Sequence, residues 1–328
     1  MAICSKFLPA ALAGAAMAAV LPAHAASQNF PTHPVTMIVP FAAGGPTDVV
    51  ARSLAEAMRK SLGQTVVVEN VGGAGGTIGT ARVARSPNDG YTILLMHIGF
   101  STAPALYRKL PYNASTDFAP IGLTVDVPMT LVARDNFPAA NFSEFLTYVK
   151  ANKTKLSMAN AGIGSASHLC GLIFMSTIGA EFQTIPYKGT GPAMNDLLGK
   201  QVDFMCDQTT NTTGQIKGGK VKAYAVTSKT RVASLPDLPT MDEAGLKGFE
   251  VGIWHGMWAP KGTPQPIIDK LQASLKDGLN DPAFKQRMAE LGAIVLADEA
   301  NPAALDKKVK SEIPRWGELI RKAGVYAD

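Results

Sequence analysis

Three segments of the sequence place glycine and hydroxyl residues directly before a predicted helix. They are residues 43–48 (AGGPTD), 162–168 (GIGSASH) and 187–192 (YKGTGP). A helix N-terminus offers unpaired backbone N–H groups and about half a positive charge, and glycine lets an anion approach that backbone closely. Such a segment can hold a carboxylate without any arginine. Residues 73–77 (GAGGT) form a fourth segment of the same kind.

One glycine-rich turn alone is weak evidence, because every α/β protein contains such turns. Four of them are more informative, since helices that follow parallel strands begin at one edge of the sheet, where ligands bind. Other glycine motifs do not fit: Ile78 stands where the last glycine of a dinucleotide fingerprint belongs, and neither GxxxxGK[ST] nor GxSxG occurs. The pattern therefore predicts a binding site for a small anion.

The elements that must position these segments alternate between strand and helix. Strands predicted at 35–40, 65–69 and 91–96 alternate with helices, which indicates βαβ units and a mostly parallel sheet. The alternation restarts at residue 142, and extended segments at 121–133 and 248–260 cross between the two parts. We therefore predict a first lobe built from residues 26–125 and 252–328 and a second lobe built from residues 126–251.

The amino terminus predicts export. Residues 8–21 carry no charge, follow Lys6 and run into Ala23-His24-Ala25, a cleavage pattern of small residues. The alternative is an anchor, but the run is shorter than the ~20 residues that a membrane span requires. Residues 1–25 are therefore interpreted as a signal peptide of a soluble, exported protein. Its removal leaves Cys170 and Cys206, for which we predict a disulfide, the alternative being two buried thiols that never meet.

Composition and charge narrow the possible partners. The chain has 328 residues, 46% of them hydrophobic, and 31 Lys and Arg against 26 Asp and Glu, a formal charge of +5. Because the basic residues are scattered, nucleic acid is not expected as a partner, whereas an acidic small ligand suits the excess. The four histidines beyond the signal peptide stand alone in the sequence, so neither a metal site nor a cofactor is predicted. They are His33, His97, His168 and His255.

Several longer motifs resemble one known family. They are residues 38–45 (IVPFAAGG) with Asp48, residues 69–76 (ENVGGAGG), residues 87–92 (PNDGYT), residues 186–189 (PYKG) and residues 196–203 (DLLGKQVD). Their order and spacing are similar to those of the Bug-type solute receptors of tripartite tricarboxylate transporters. The resemblance implies a monomeric periplasmic binding protein of type II. Two α/β lobes, joined by two crossing strands as a hinge, would close on an organic carboxylate that is passed to membrane permease subunits.

The same resemblance implies the binding residues. The first lobe would contribute Ala43, Gly44, Gly45, Thr47, Ala74, Gly75 and His97, with Asp48 organising its loop. The second lobe would contribute Gly164, Ser165, His168, Gly189, Thr190 and Asp207. Because these loops contain no arginine, mono- and aromatic carboxylates are slightly favoured over dicarboxylates, although Lys188 could supply a second charge.

Two alternatives to a transport receptor stay open. A periplasmic hydrolase or isomerase could use His168 or Asp48 as its base, but the sequence offers no set of nucleophile, base and orienting group. An orphan receptor could feed a sensor instead of a transporter. We expect a receptor that is not an enzyme.

Overall fold

A computed structural model describes residues 29–324, 326 and 327. The predicted signal peptide, residues 1–25, lies outside them. Across the described residues, no helix combines the length and the apolar character needed to cross a membrane.

The described chain alternates strands and helices. The strands are β1 (Val35–Val39), β2 (Val66–Asn70), β3 (Thr92–His97), β4 (Phe118–Arg134), β5 (Ser157–Asn160), β6 (Gln183–Pro186), β7 (Phe204–Gln208), β8 (Val221–Val226), β9 (Gly252–Pro260) and β10 (Ile294–Val295). The helices are α1 (Pro46–Leu62), α2 (Thr77–Ala84), α3 (Gly99–Leu106), α4 (Phe142–Ala151), α5 (Ala166–Ile178), α6 (Thr190–Leu198), α7 (Thr209–Lys217), α8 (Gln265–Asn280), α9 (Pro282–Glu290) and α10 (Pro302–Ala323). Short 3₁₀ turns cover Ala74–Gly76 and Ala297–Glu299.

The strands form one sheet with two parallel parts. Its order is β2-β1-β3-β9-β4-β7-β5-β6, with β8 and β10 also paired to β4. The pairs of β1 with β2 and β3 are parallel, as are those of β5 with β6 and β7, whereas every pairing of β4 or β9 is antiparallel. The two long strands thus join two α/β lobes, which confirms the predicted fold. The lobe boundaries at residues 125/126 and 251/252 remain a prediction.

The crossing strand β4 is longer than its sequence suggests. It continues through Asp126 and Pro128, whose residue types disfavour a strand, and its register with β9 shifts between Pro120 and Gly122 and between Leu123 and Asp126. Val125, Val127 and Met129 are fully buried, so packing on the sheet overrides the poor strand propensity of the polar residue and the proline.

The helices that open at the predicted segments have clear local causes. Helix α1 begins with Pro46, whose missing N–H is not needed there, and ends before Gly63 in the left-handed conformation. Val50, Leu54 and Met58 form its buried face. By contrast, α3 and α7 have no sequence signal: α3 contains Pro104, and α7 begins TTNTT, which is a poor helix former.

The predicted disulfide is present. Cys170 on α5 and Cys206 on β7 are bonded, with 6.1 Å between their Cα atoms and a sequence separation of 36 residues. Both residues are fully buried. The bond therefore ties the first turns of α5 to the end of β7 in the second lobe.

Candidate functional site

Four helix starts converge on one small cavity between the two lobes. Helix α1 belongs to the first lobe, whereas α5, α6 and α7 belong to the second. The cavity is nearly closed: its volume is about 10 Å³, the space of about one water molecule, so a larger ligand enters only when the lobes move apart. Its lining consists of Phe41, Pro46, Thr47, His97, Ala161, Ala166, Ser167, Thr190, Asp207 and Gln208. None of these residues in the described chain is a lysine or an arginine, so main-chain N–H groups and helix dipoles are the sources of positive potential at the cavity.

The polar side chains of the first-lobe wall make hydrogen bonds within the protein. The Thr47 hydroxyl lies 3.3 Å from His255 Nε2, and His255 Nδ1 lies 3.0 Å from the Ile253 carbonyl oxygen. That carbonyl can only accept, so Nδ1 carries the proton and Nε2 accepts from Thr47. His97 Nδ1 accepts from Gly99 N at 3.0 Å, and its ring stacks on Phe41. Both nitrogens of the His255 ring are therefore engaged, and the His97 ring carries its proton on Nε2.

Burial keeps both of these histidines neutral. Desolvation lowers the pKa of His255 to about 4. It also holds the pKa of His97 well below its usual value, with a further contribution from the neighbouring His255. The wall is thus uncharged at neutral pH, which leaves the field of the helix starts unopposed on this side.

The second-lobe wall contains the single ionisable carboxyl group of the lining. Asp207 is fully buried; its Oδ1 accepts from Gln208 N at 2.8 Å and its Oδ2 accepts from Asn211 Nδ2 at 2.5 Å. Burial raises the pKa of Asp207 to about 6, and these hydrogen bonds together with the nearby Thr190 hydroxyl limit the rise. The group is therefore mostly ionised at pH 7 and close to titration just below it.

The start of α5 is organised by its own serines. Ser165 is the N-cap and accepts from His168 N at 3.3 Å, and Ser167 Oγ accepts from Ala161 N at 2.7 Å. Ser167, rather than Ser165, lines the cavity. The capping serine holds the helix start in place, and the second serine faces the cavity.

His168 lies on the far side of this helix start. Its Nδ1 accepts from Gly164 N at 3.2 Å, and the residue borders a separate groove rather than the cavity. Burial lowers its pKa to about 4. It fixes the loop that precedes α5 and is not placed to act as a base toward a molecule in the cavity.

Asp48 does not line the cavity and fixes the first-lobe loop by hydrogen bonds. Its carboxylate accepts from Gly44 N, Arg52 Nε and Asn70 Nδ2 at 2.9–3.0 Å. Burial opposes ionisation of Asp48, but these hydrogen bonds outweigh it and hold its pKa below the usual value. This arrangement agrees with loop organisation and leaves no role for Asp48 as a base.

The two lobes touch at the rim of the cavity. Ala42 N donates to the Lys188 carbonyl at 2.9 Å, Tyr107 OH donates to the Ile163 carbonyl at 3.0 Å, and Thr102 Oγ1 donates to the Gly164 carbonyl at 3.2 Å. All three donors belong to the first lobe and all three acceptors to loops of the second. The structure is therefore a closed arrangement of the lobes.

Glycine is required where these loops meet. A Cβ atom on Gly189 would lie 2.9 Å from Ala42 N, and one on Gly75 would lie 2.1 Å from the Ile163 carbonyl oxygen. Gly45 likewise packs against Gly191. These glycines allow one loop to approach the other, and their predicted contact with an anion stays a prediction.

The predicted binding residues therefore separate into groups. Thr47, His97, Thr190 and Asp207 line the cavity. Ala74 lines an outer depression of about 650 Å³, which also includes Tyr107, Tyr187 and Lys188. Ala43 and Gly44 are exposed, and a Cβ atom on Gly44 would meet nothing within 4 Å. The remaining predicted residues support the loops: Gly45, Asp48, Gly75, Gly164, Ser165, His168 and Gly189.

Two polar residues of the lining, Ser167 and Gln208, are not among the predicted binding residues. Ser167 could have been found, because it is the second residue of a predicted helix and faces the same edge as its cap. Gln208 depends on the start of α7, for which the sequence gives no signal. The described residues contain no group of three or more His, Cys, Asp or Glu that could hold a metal ion.

A two-lobed α/β chain with helix starts around an interlobe cavity has the fold of a periplasmic binding protein. The sequence matches the family described as "Tripartite tricarboxylate transporter family receptor" (TctC) over residues 50–325, and the chain belongs to this family.

Similar proteins agree with this assignment. A UPF0065 protein from the TAR-I ttuE-ttuC' intergenic region of Agrobacterium vitis is 50% identical over 309 residues, covering 94% of this chain and 89% of its own. The solved periplasmic binding protein BugD is 68% identical, with a TM-score of 0.89 over 90% of this chain and 99% of its own. MatC from Rhodopseudomonas palustris, solved with bound malate, is 42% identical, with a TM-score of 0.85 over 89% of this chain and 100% of its own.

Proposed function

We propose that the protein is a periplasmic receptor that captures a small organic carboxylate between its lobes and delivers it to the permease of a tripartite tricarboxylate transporter. The observation that carries the proposal is the convergence of four helix starts on one cavity whose lining has no lysine or arginine. The bound malate of MatC supports a carboxylate as the ligand.

Binding uses the backbone rather than cationic side chains. The first N–H groups of a helix have no intrahelical partner, so an anion that reaches them gains hydrogen bonds and a favourable dipole interaction. A ligand that contacts α1 on one lobe and α5 or α6 on the other stabilises the closed form, because only that form presents both sets of donors together.

The side chains of the cavity favour a receptor over an enzyme. The buried histidines are held by Gly99 N, Gly164 N and Ile253 O, and Asp48 is fully hydrogen-bonded. Among the described lining residues, the Thr47 hydroxyl contacts a histidine, at 3.3 Å from His255 Nε2, but burial lowers the pKa of His255 to about 4, which makes it a poor base at neutral pH. The protein therefore binds its ligand and releases it unchanged.

A thermal-shift screen of organic carboxylates tests the proposal. A ligand at 100 times its Kd adds about 2.7 kcal/mol to the free energy of unfolding, which raises the melting temperature measurably. We expect stabilisation by at least one carboxylate and none by the corresponding neutral amide. The ligand recovered after denaturation should be chemically unchanged. Equal stabilisation by acid and amide, or recovery of an altered compound, contradicts the proposal.

A further inference from the structure

Asp207 is an unusual residue for the lining of an anion site. It is the single carboxyl group among the lining residues, is fully buried and has no ion pair within the described chain. Two donors, Gln208 N and Asn211 Nδ2, contact it. A carboxylate has about four acceptor positions, so part of its capacity to accept hydrogen bonds remains open toward the cavity.

Two neighbouring polar groups of the same wall are also incompletely satisfied. Thr190 Oγ1 and Gln208 Oε1 are buried and make no well-aligned hydrogen bond to the described protein, although the threonine hydroxyl lies near the Asp207 carboxylate. Thr190 is 4% exposed and Gln208 is 2% exposed. Buried polar groups normally have partners, so this corner fits a ligand that brings a hydrogen-bond donor.

A second anionic group would be poorly accommodated at the same corner. Two carboxylates that share a buried site disfavour each other's ionised form. A hydroxyl or an ammonium group instead supplies the missing donor. Leaving such acceptors unpaired is costly, so a site of this kind discriminates strongly against an analogue that lacks the donor.

We propose that Asp207 is a specificity-determining residue that selects carboxylates bearing a hydroxyl or ammonium group over those without a donor. The proposal rests on the proposed function: the helix starts hold the ligand's carboxylate, and Asp207 with Thr190 accepts from its donor group. The first-lobe wall offers no carboxylate acceptor, since its polar lining side chains among the described residues are Thr47 and His97.

Calorimetry with three ligands of one carbon skeleton tests the selection. Succinate has no donor substituent, malate adds a hydroxyl and aspartate adds an ammonium group; both enantiomers of the last two are used. We expect the best substituted ligand to bind on the order of 30-fold more tightly than succinate. Malate and aspartate together show which donor the corner prefers.

The Asp207→Asn variant should lower that preference to about threefold or less, because the amide keeps the shape but loses the charged acceptor. Asp135→Asn is the matched control, since Asp135 makes the same charge change at an exposed position paired with Lys200. It should keep the wild-type preference. A preference that survives Asp207→Asn, or equal binding of succinate by the wild type, overturns the proposal while leaving the carboxylate receptor intact. Failure of every carboxylate to bind overturns both.

Proton exchange gives a second readout that does not depend on the comparison of ligands. A donor beside Asp207 stabilises its ionised form and lowers its pKa, so binding near pH 6 should release protons, seen as a dependence of the binding enthalpy on the buffer. The other ionisable groups around the cavity are His97 on β3, His255 on β9, His168 on α5 and Asp48 on α1. An anion would make the histidines take up protons, the opposite sign. Release that disappears in Asp207→Asn supports the proposal, and net uptake that is unchanged in that variant overturns it.

Discussion

The two walls of the cavity are built from the same kind of helix start but differ in their chemistry. On the first-lobe wall, Thr47 and His97 each make a hydrogen bond within the protein and carry no charge. On the second-lobe wall, Asp207 is a buried carboxylate, and Thr190 lacks a well-aligned partner within the described residues. The first-lobe wall is neutral, whereas the second-lobe wall has buried polar groups that a bound ligand can engage.

This difference separates two roles: holding the carboxylate of the ligand, and distinguishing one ligand from another. Helix starts attract any carboxylate, so they give affinity without distinguishing one acid from another. Side chains with open hydrogen-bonding capacity distinguish ligands, because an unsuitable ligand leaves them unpaired. A receptor family can therefore keep the first wall and change its ligand by altering a few residues of the second.

The second wall also has a covalent support that the first lacks. Replacing Cys170 and Cys206 by alanine should lower the free energy of unfolding by about 4 kcal/mol, because the bond closes a loop of 36 residues in the unfolded chain. Since Cys206 directly precedes Asp207, ligand affinity should fall as well. Urea unfolding and calorimetry measure the two effects. A loss below about 1 kcal/mol would show that the bond contributes little to the stability of this wall.

The contact between the walls depends on glycine. Gly189→Val should weaken ligand binding by about 100-fold, since its side chain would collide with Ala42 and hold the lobes apart. Gly44→Val is the matched change in open space on the exposed loop. Because Gly44 has a φ of 79°, that variant should lose about 1–2 kcal/mol of stability yet keep its affinity. If Gly44→Val abolished binding and Gly189→Val did not, the ligand would lie at the exposed loop.

The sequence predicted the helix starts well because their signals are local. Proline at position 46, the glycines and the capping Ser165 identify a helix start without knowledge of the partner. It also predicted two lobes, from the restart of the strand and helix alternation. What each glycine does could not be predicted, since the role of Gly189 depends on its close contact with Ala42, which is far away in the chain. Gln208 was missed because α7 is stabilised by packing and not by its own composition.

The buried histidines and Asp207 respond to pH in opposite directions. His255 and His168 have pKa values of about 4 in the folded chain, below the unfolded value near 6.5, so acid favours the unfolded state that binds their protons. Each histidine should cost about 2 kcal/mol of stability by pH 5. Asp207, with a folded pKa of about 6, gains stability as pH falls and offsets about 1 kcal/mol of this loss.

We therefore expect the free energy of unfolding to fall by at least about 3 kcal/mol between pH 7 and pH 5, since the lowered pKa of His97 adds to the loss; urea titration at each pH measures it. His168→Asn should flatten that decrease, because asparagine can still accept from Gly164 N but does not titrate. The matched control is His33→Asn at an exposed position, which should leave the slope unchanged. A stability that rises on acidification would mean that Asp207 outweighs the histidines.

Two tyrosines that border the same outer depression allow the effect of lobe closure on binding to be measured separately from the effect of the cavity walls. Tyr107 OH donates across the lobes to Ile163, whereas Tyr187 OH donates within the second lobe to Asp196 at 2.6 Å. Tyr107→Phe should destabilise the closed form by about 1 kcal/mol, which weakens ligand binding about fivefold, mainly through faster dissociation. Tyr187→Phe removes a hydroxyl from the same depression without touching the interlobe contact, so it should lower the melting temperature but leave the dissociation rate near that of the wild type. Stopped-flow dissociation of the bound carboxylate distinguishes the two variants. Equal acceleration of dissociation in both variants would contradict a role of the interlobe bond, because, of the two hydroxyls, only that of Tyr107 bonds across the lobes. The effect would then belong to the depression as a whole.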